Sequence, residues 1–185
     1  MIKNTPLGYG VVAIFLHWIM ALGILFLFGL GLYMVELSYY DAWYKGSLDL
    51  HKSIGVSVFI LWCIRIIWRL LNVSPVVPEV NTTFEKFEQR AAHWMHLLLY
   101  LIMVLLMCSG YLISTADGRG ISVFELFEVP AINALIDNQE DIAGEIHLIL
   151  AWCLIVLVAI HSLAAIKHHF INKDDTLKKM IGYKK

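Results

Sequence analysis

Four long apolar runs, separated by polar segments, dominate the chain and predict four membrane-crossing helices. Three of them contain no charged side chain and exceed the roughly 20 residues that a membrane helix needs; they cover residues 4–35, 91–116 and 146–166. The fourth run, at about 51–71, has Lys52 at its start and is otherwise interrupted only by Arg65 and Arg69 near its end. Because long cationic side chains at a helix end reach the membrane interface, this run also fits a transmembrane helix.

The predicted fold is therefore all-α: a four-helix transmembrane bundle in which residues 1–185 form a single membrane domain. The helices are expected at about 11–35, 51–71, 91–115 and 146–168. The longest connection, at about 117–145, joins the third helix to the fourth.

Composition supports a lipid bilayer as the environment of the chain. Hydrophobic residues make up 59% and charged residues 16% of the sequence, and the mean hydropathy is +0.72. A soluble domain is nearer half apolar and a quarter charged. The net charge of −1 and the high apolar content exclude a disordered chain and a polybasic nucleic-acid binder.

The distribution of lysine and arginine predicts the orientation of the helices, because these residues concentrate in cytoplasmic segments. If the amino terminus is inside, only three of the 14 basic residues fall in the outer loops, namely Lys45, Lys52 and Arg119. The other eleven fall on the inner side: Lys3, Arg65, Arg69, Lys86, Arg90, Lys167, Lys173, Lys178, Lys179, Lys184 and Lys185. We therefore expect both termini to be cytoplasmic and the chain to cross the membrane several times.

The same orientation makes the outer loops strongly acidic. They contain ten carboxylates: Glu36, Asp41, Asp49, Asp117, Glu125, Glu128, Asp137, Glu140, Asp141 and Glu145. Against three cations, this is a net charge of −7. Such a field favours a cationic or neutral partner on that side of the membrane.

Four of the eight histidines match one another by depth. His147 and His161 lie fourteen residues apart on the fourth helix, which places them on one face and about 21 Å apart along the axis. His51 enters the membrane from the outer side, at the depth of His147, whereas His17 enters from the inner side, at the depth of His161. The orientation therefore predicts two facing histidine pairs, one in each leaflet.

Two imidazoles from facing helices are a usual way to hold a b-type haem, each occupying one axial position of the iron. A small residue follows each of the four histidines by one helical turn, where a flat macrocycle would lie; these residues are Ala21, Gly55, Ala151 and Ala165. Zinc is a weaker alternative, because two histidines leave a tetrahedral site two ligands short. Hydrogen-bonded packing and a transporter's proton relay remain as alternatives, although the helices contain no intramembrane carboxylate.

Several segments together resemble the bacterial cytochrome b561 family across nearly the whole chain. They are His17-Trp18, the His51-Lys52-Ser53-Ile54-Gly55 and Glu145-Ile146-His147 openings, and the stretch from His161 through Lys167-His168-His169-Phe170 to Lys173-Asp174-Asp175-Thr176-Leu177. The resemblance implies a four-helix bundle with two non-covalent haem b groups bound by His17, His51, His147 and His161. It further implies electron transfer between the outer face and a ubiquinone-type quinone pool, in a multi-pass protein of a bacterial inner membrane. A periplasmic redox or lipid-binding protein is a candidate partner.

Three functions stay open at this point: an electron-transfer cytochrome, an enzyme similar to a superoxide:ubiquinone oxidoreductase, and a haem-free transporter or scaffold. Superoxide is an anion, and the net charge of −7 on the outer loops would slow its approach. Lys52 and Arg119 are the candidates for a local positive spot that would offset this effect.

Other polar residues in or near the helices have more than one interpretation. Arg65 lies fourteen residues after His51 and either pairs with a haem propionate or anchors the helix at the cytoplasmic surface. His168 either contacts a quinone or propionate or belongs to a hydrated helix end. His93 and His96, three residues apart, either bind a metal or quinone or form interfacial hydrogen bonds.

Overall fold

The computed structural model describes residues 1–76 and 82–182, and within them the chain is mostly helical. The α-helices are α1 (Val11–Val35), α2 (Tyr44–Leu71), α3 (Thr83–Ser114), α4 (Gln139–Lys167) and α5 (Thr176–Met180), with a π-helical turn at His168–Asn172 directly after α4. Four of the described helices, α1 to α4, are long and apolar enough to cross a membrane. The prediction of an all-α, four-helix transmembrane fold is confirmed.

Three of these helices begin earlier than the apolar runs predict. The structure starts α2 at Tyr44 instead of about 51, α3 at Thr83 instead of about 91, and α4 at Gln139 instead of about 146. An apolar run marks only the part of a helix that lies in hydrocarbon, and the first turns of these helices are polar. The bounds of α1 coincide with its prediction because its first and last residues are themselves apolar.

A capping box explains why α3 begins where it does. The backbone N–H of Glu85 donates to Oγ1 of Thr82, at 3.1 Å, and the N–H of Thr82 donates to Oε2 of Glu85, at 3.0 Å. This reciprocal pattern satisfies two amide donors that the first turn would otherwise leave free. The helix therefore has a defined start about two turns before its apolar stretch.

The connection between α3 and α4 contains a short antiparallel hairpin, β1 (Ile121–Val123) and β2 (Phe127–Val129). Ser53 of α2 holds this hairpin, because its Oγ accepts a hydrogen bond from the N–H of Phe124 at 3.1 Å. Val123 is 2% exposed. The connection is thus an ordered element and not an open loop, with its apolar strand residue buried.

The chain divides into two compact units that each contain parts of several helices. The first unit comprises Met1–Met20, Leu61–Tyr100 and Val156–Lys185, and the second comprises Ala21–Ile60 and Leu101–Ile155. The interpretation of residues 1–185 as one domain stays a prediction. Two of the cations counted in the orientation argument, Lys184 and Lys185, lie outside the described residues.

Polar contacts near the helix ends hold the first unit together. Nε1 of Trp18 donates to the carbonyl of Met180 at 2.8 Å, which fixes α5 against the start of α1. An ion pair joins Lys167 of α4 to Glu88 of α3.

In the second unit, the side-chain amide of Gln139 connects two segments of the chain. Nε2 of Gln139 donates to the carbonyl of Leu112 at 3.0 Å, while its Oε1 accepts from the N–H of Leu135 at 2.9 Å. Gln139 is 5% exposed, so both hydrogen bonds satisfy groups that water does not reach. The start of α4 is therefore fixed against the end of α3.

Candidate functional site

The second unit brings together His51 of α2 and His147 of α4. Their ring centres are 6.4 Å apart, with 69° between the ring planes. These are the two histidines that the sequence places at the outer depth, so the pairing predicted from orientation is present as a spatial contact.

The first unit brings together His17 of α1 and His161 of α4. Their ring centres are 6.3 Å apart, with 63° between the planes. The two predicted pairs therefore have nearly the same spacing, although each uses a different partner helix.

This spacing has a specific chemical meaning. Imidazole nitrogens bind a metal ion at about 2.0 Å, so two rings on opposite sides of one ion, each with its centre about 1 Å behind the nitrogen, have centres about 6 Å apart. Both pairs thus fit a single ion between two axial imidazoles. Within residues 1–76 and 82–182, no group of three or more His, Cys, Asp or Glu side chains is arranged to hold a metal.

The orientation of His147 is set by α3. Its Nδ1 lies 3.1 Å from the carbonyl oxygen of Leu106 and 3.0 Å from Oγ of Ser109. A carbonyl oxygen only accepts, so Nδ1 carries the proton, and the lone pair is on Nε2. Ligands of metal ions are commonly held in this way, with one ring nitrogen bonded to the protein and the other free to coordinate.

Glycines pack closely against the rings of His147 and His51. A Cβ atom at Gly110 would lie 3.2 Å from Cε1 of His147, and one at Gly31 would lie 3.5 Å from Cε1 of His51. By contrast, a Cβ at Gly55, one turn after His51, would meet nothing within 4 Å. The rings are therefore confined on one side while space remains beside His51.

His51 has a feature that fits a bound group. Its Nδ1 is buried and has no hydrogen-bond partner among the described contacts. A buried imidazole without partners costs free energy, and coordination of the ring compensates for that cost. The residues of both pairs thus fit a bis-imidazole prosthetic group in donor type, in spacing and in the unsatisfied state of this ring.

A third imidazole, which the sequence assigned to no site, lies beside the first-unit pair. His96 of α3 has its ring centre 5.2 Å from that of His161. The predicted start of the third helix at about 91 places His96 at the interface, whereas α3 begins at Thr83 and carries His96 more than three turns into the helix. His96 lies five residues inside the apolar run at 91–116, and this depth is the signal that would have found it.

Arg65 of α2 lies near the His17–His161 pair. Its charge interacts electrostatically with His17, His161 and His96, and its Nη1 donates to the carbonyl of Ala13 at 3.4 Å. Among the described residues, the ion pairs do not include Arg65. A guanidinium without a carboxylate partner inside a membrane helix suits an anionic group of a bound ligand.

Of the two histidines after α4, His168 is paired with another side chain, whereas Nδ1 of His169 is buried and has no hydrogen-bond partner among the described contacts. Nδ1 of His168 pairs with Oδ2 of Asp174 at 2.6 Å. Partial burial opposes ionisation of Asp174, but hydrogen bonds from Thr176 and His168 outweigh it and lower the pKa of this carboxyl group. His169 stacks edge-on against Phe170, with 4.7 Å between ring centres.

Arg119, one of the two cations of the candidate positive spot, is paired with Asp117. Nε of Arg119 donates to Oδ2 of Asp117 at 2.7 Å, and the backbone N–H of Arg119 donates to Oδ1 at 2.9 Å. The hydrogen bond from Arg119 holds the pKa of Asp117 below its usual range, with a smaller contribution from the charge of Lys52. Asp117 therefore stays ionised throughout the neutral range and compensates these cations.

Comparison with known proteins identifies relatives whose sequences match nearly the whole chain. A family model described as prokaryotic cytochrome b561 matches residues 8–183. Cytochrome b561 homolog 2 of Escherichia coli is 47% identical over 179 residues, covering 97% of this chain and 94% of the relative. Cytochrome b561 homolog 1 of the same organism is 30% identical over 188 residues, covering 93% and 96%.

A relative with lower sequence identity has a name that states an activity. The probable superoxide oxidase CybB of Yersinia pestis is 27% identical over 183 residues, covering 96% of this chain and 97% of the relative. Each of these matches extends over almost the full length of both sequences.

Proposed function

The chain belongs to the prokaryotic cytochrome b561 family, a family of haem-binding membrane proteins of electron transport, and from this premise we propose a specific role. The protein transfers electrons between the periplasmic face and the quinone pool through two b-type haems. His51 and His147 bind one haem, and His17 and His161 bind the other. The observation that carries this proposal is the matched spacing of the two imidazole pairs, at 6.4 and 6.3 Å.

The protein contributes ligation, orientation and charge to this function. When bound, haem supplies a one-electron iron couple, and the protein tunes its potential. With imidazoles as its protein ligands, a bound haem would supply electron transfer between partners without binding a substrate itself. His147 is held by Leu106 and Ser109 in the tautomer that presents Nε2.

Arg65 compensates negative charge in the His17–His161 site. The guanidinium interacts with these rings and has no described carboxylate partner. A haem propionate beside it would supply the missing anion, and each charge would lower the cost of burying the other.

The proposed orientation places both termini in the cytoplasm and the protein in a bacterial inner membrane. The bias of lysine and arginine toward one side of the helices supports it. In this orientation the His51–His147 site faces the periplasm, where a redox or lipid-binding protein is a candidate partner. The His17–His161 site faces the cytoplasmic leaflet and exchanges electrons with a ubiquinone-type quinone.

A haem count with a functional assay tests the proposal. Purified protein is expected to contain two haem b per chain by pyridine haemochrome, with two redox components in a reduced-minus-oxidised titration. In proteoliposomes, reduction of the haems should be followed by reduction of ubiquinone. A folded protein with one haem, or with none, would contradict the proposal. A folded protein without haem would favour a transporter or scaffold, a function that family membership does not support.

A second candidate function is superoxide oxidation, which the name of the Yersinia pestis relative favours. The net charge of −7 on the proposed outer loops opposes it, because a negative field slows encounter with an anion. We expect slow haem reduction by superoxide, with weak or inverted salt dependence. Near-diffusional reduction that slows as salt rises would instead establish superoxide as a substrate.

Asp117→Asn is expected to accelerate reaction with anions. At neutral pH the substitution removes the carboxylate that pairs with Arg119, which leaves that cation uncompensated. The rate of haem reduction by superoxide should rise by roughly two- to threefold at low ionic strength, and the gain should disappear at high salt. Because the pKa of Asp117 is lowered, the wild-type pair breaks only when pH falls through that lowered value.

Asp41→Asn is the matched control for this experiment. It removes the same charge from another loop, but Asp41 accepts hydrogen bonds from the backbone N–H and hydroxyl of Ser38 and forms no ion pair among the described residues. Equal acceleration in both variants would show that general charge, and not release of Arg119, controls the rate.

A further inference from the structure

We propose that the tip of the hairpin between α3 and α4, residues 124–128, is a docking surface for a basic protein whose cationic side chains surround an apolar patch. The inference rests on the proposed function, because it specifies the surface chemistry of the periplasmic partner and takes this connection as an outer one. The tip has the sequence Phe124-Glu125-Leu126-Phe127-Glu128, in which three apolar side chains are interleaved with two carboxylates.

The apolar side chains of the tip are exposed, although the same hairpin buries others. Phe124 is 50% exposed, Leu126 81% and Phe127 49%, whereas Val123 of β1 is 2% exposed. The hairpin is therefore anchored by its first strand and not by its tip. The tip lies in the connection between α3 and α4, outside the four helices that are long and apolar enough to cross a membrane. Neighbouring exposed apolar groups with polar residues around them are typical of an interaction surface.

The backbone of the tip has an unfavourable conformation that presents these side chains. Phe124 and Glu125 have positive φ values of 49° and 60°. The N–H of Leu126 donates to the carbonyl of Val123 at 2.9 Å, which closes the turn. Asparagine and glycine adopt this left-handed conformation readily, whereas an aromatic residue rarely does. Backbone strain of this kind clusters at functional sites, so it favours a role for the tip beyond connecting two strands.

Helix α2 fixes the tip close to the His51–His147 site. Ser53, two residues after His51, accepts a hydrogen bond from the N–H of Phe124 at 3.1 Å, and its Oγ donates to the carbonyl of Ser122 at 3.4 Å. Ser53 is buried, so water does not compete for these contacts. A protein bound to the tip would therefore lie close to the histidine pair through which we propose that electrons enter or leave.

Charge favours a basic protein as the occupant of this surface. Glu125 and Glu128 are exposed and form no ion pair with a described residue. A cationic rim on the partner would pair with these carboxylates, while its apolar centre would cover Leu126. A second copy of this chain, docked through the same surface, would bring identical carboxylates together. A lipid surface with anionic headgroups would repel them as well, so both of these occupants are disfavoured.

Binding of ferric cytochrome c, a small basic haem protein, to the holoprotein in phosphatidylcholine nanodiscs tests this surface. At low ionic strength, the double variant Glu125→Gln/Glu128→Gln should weaken binding roughly tenfold, because two ion pairs are lost. The difference should shrink at high salt. Leu126→Ser should weaken binding roughly threefold at low and high salt alike, because it removes an apolar contact and no charge. Cytochrome c with acetylated lysines should bind weakly to the wild-type protein.

The matched controls are Glu36→Gln/Asp41→Asn and Tyr40→Ser, which remove the same charge and an exposed aromatic side chain from the connection between α1 and α2. Each should change the affinity by less than about twofold. Equal weakening by the two double variants would overturn the inference, because general charge would then control binding.

Unchanged binding in Leu126→Ser would also overturn the inference, and it is the result expected if lipid covers the tip. A dimer of the wild-type protein that Leu126→Ser dissociates, with cytochrome c binding unchanged, would identify a second copy as the occupant. Failure of the proposed function is a separate result, because it shows in the haem count of the wild-type protein.

Discussion

Replacing His51 or His147 with alanine is expected to reduce the haem content from two to one per chain and to stop electron transfer to quinone from the periplasmic side. Each substitution removes one of the two histidines proposed to hold this haem, whose rings lie 6.4 Å apart. A non-covalent haem has no other attachment of comparable strength, so loss of an axial imidazole releases it or converts it to a high-spin form. Pyridine haemochrome and redox titration measure the count and show which component is lost.

The complementary variants His17→Ala and His161→Ala should remove the other redox component and leave the first unchanged. His93→Ala is a control in which both haems should remain. If His51→Ala and His17→Ala affected the same spectral component, the pairing would be wrong. If all four variants kept two low-spin haems, these histidines would not be the ligands.

Gly110→Leu is expected to mimic the loss of His147 without removing any ligand. A Cβ at this position would lie 3.2 Å from Cε1 and 3.5 Å from Nδ1 of His147, and leucine adds three further carbons. The ring has to move, which breaks its hydrogen bonds to α3 and misplaces Nε2. Haem affinity at the His51–His147 site should fall more than tenfold, while the other site keeps its haem.

Gly29→Leu controls for the general effect of leucine in a membrane helix. Gly29 of α1 is exposed, and a Cβ there would meet nothing within 4 Å. It lies on an exposed stripe with Leu22, Phe26 and Tyr33. Both haems should remain in this variant, measured in the same detergent. Two intact low-spin haems in Gly110→Leu would show that the packing against His147 is not required for ligation.

The helices illustrate how much of the fold the sequence predicts. Long apolar runs with charged side chains only near their ends have one main physical cause, a hydrocarbon environment, so the four spans follow from the pattern alone. The polar first turns of α2, α3 and α4 carry no such signal. Their starts depend on local hydrogen bonds, such as those between Thr82 and Glu85, which compete with other turn conformations.

The hairpin in the α3–α4 connection could not be predicted in the same way. Its strands have three residues each, and Phe124 and Glu125 between them have positive φ values of 49° and 60°. Neither residue type favours that conformation. The hydrogen bond from Phe124 to Ser53, 71 positions away in the sequence, helps to hold the turn.

The sequence by itself determined the number of spans, the membrane environment and the two histidine pairs, because helix periodicity and the alternation of chain direction relate position in sequence directly to depth. Only the tertiary structure decided which α3 groups touch the α4 histidines. The contacts of Ser109 with His147 and of His96 with His161 depend on the rotation of α3 about its axis. Depth does not encode rotation, which follows from how the side chains of neighbouring helices pack.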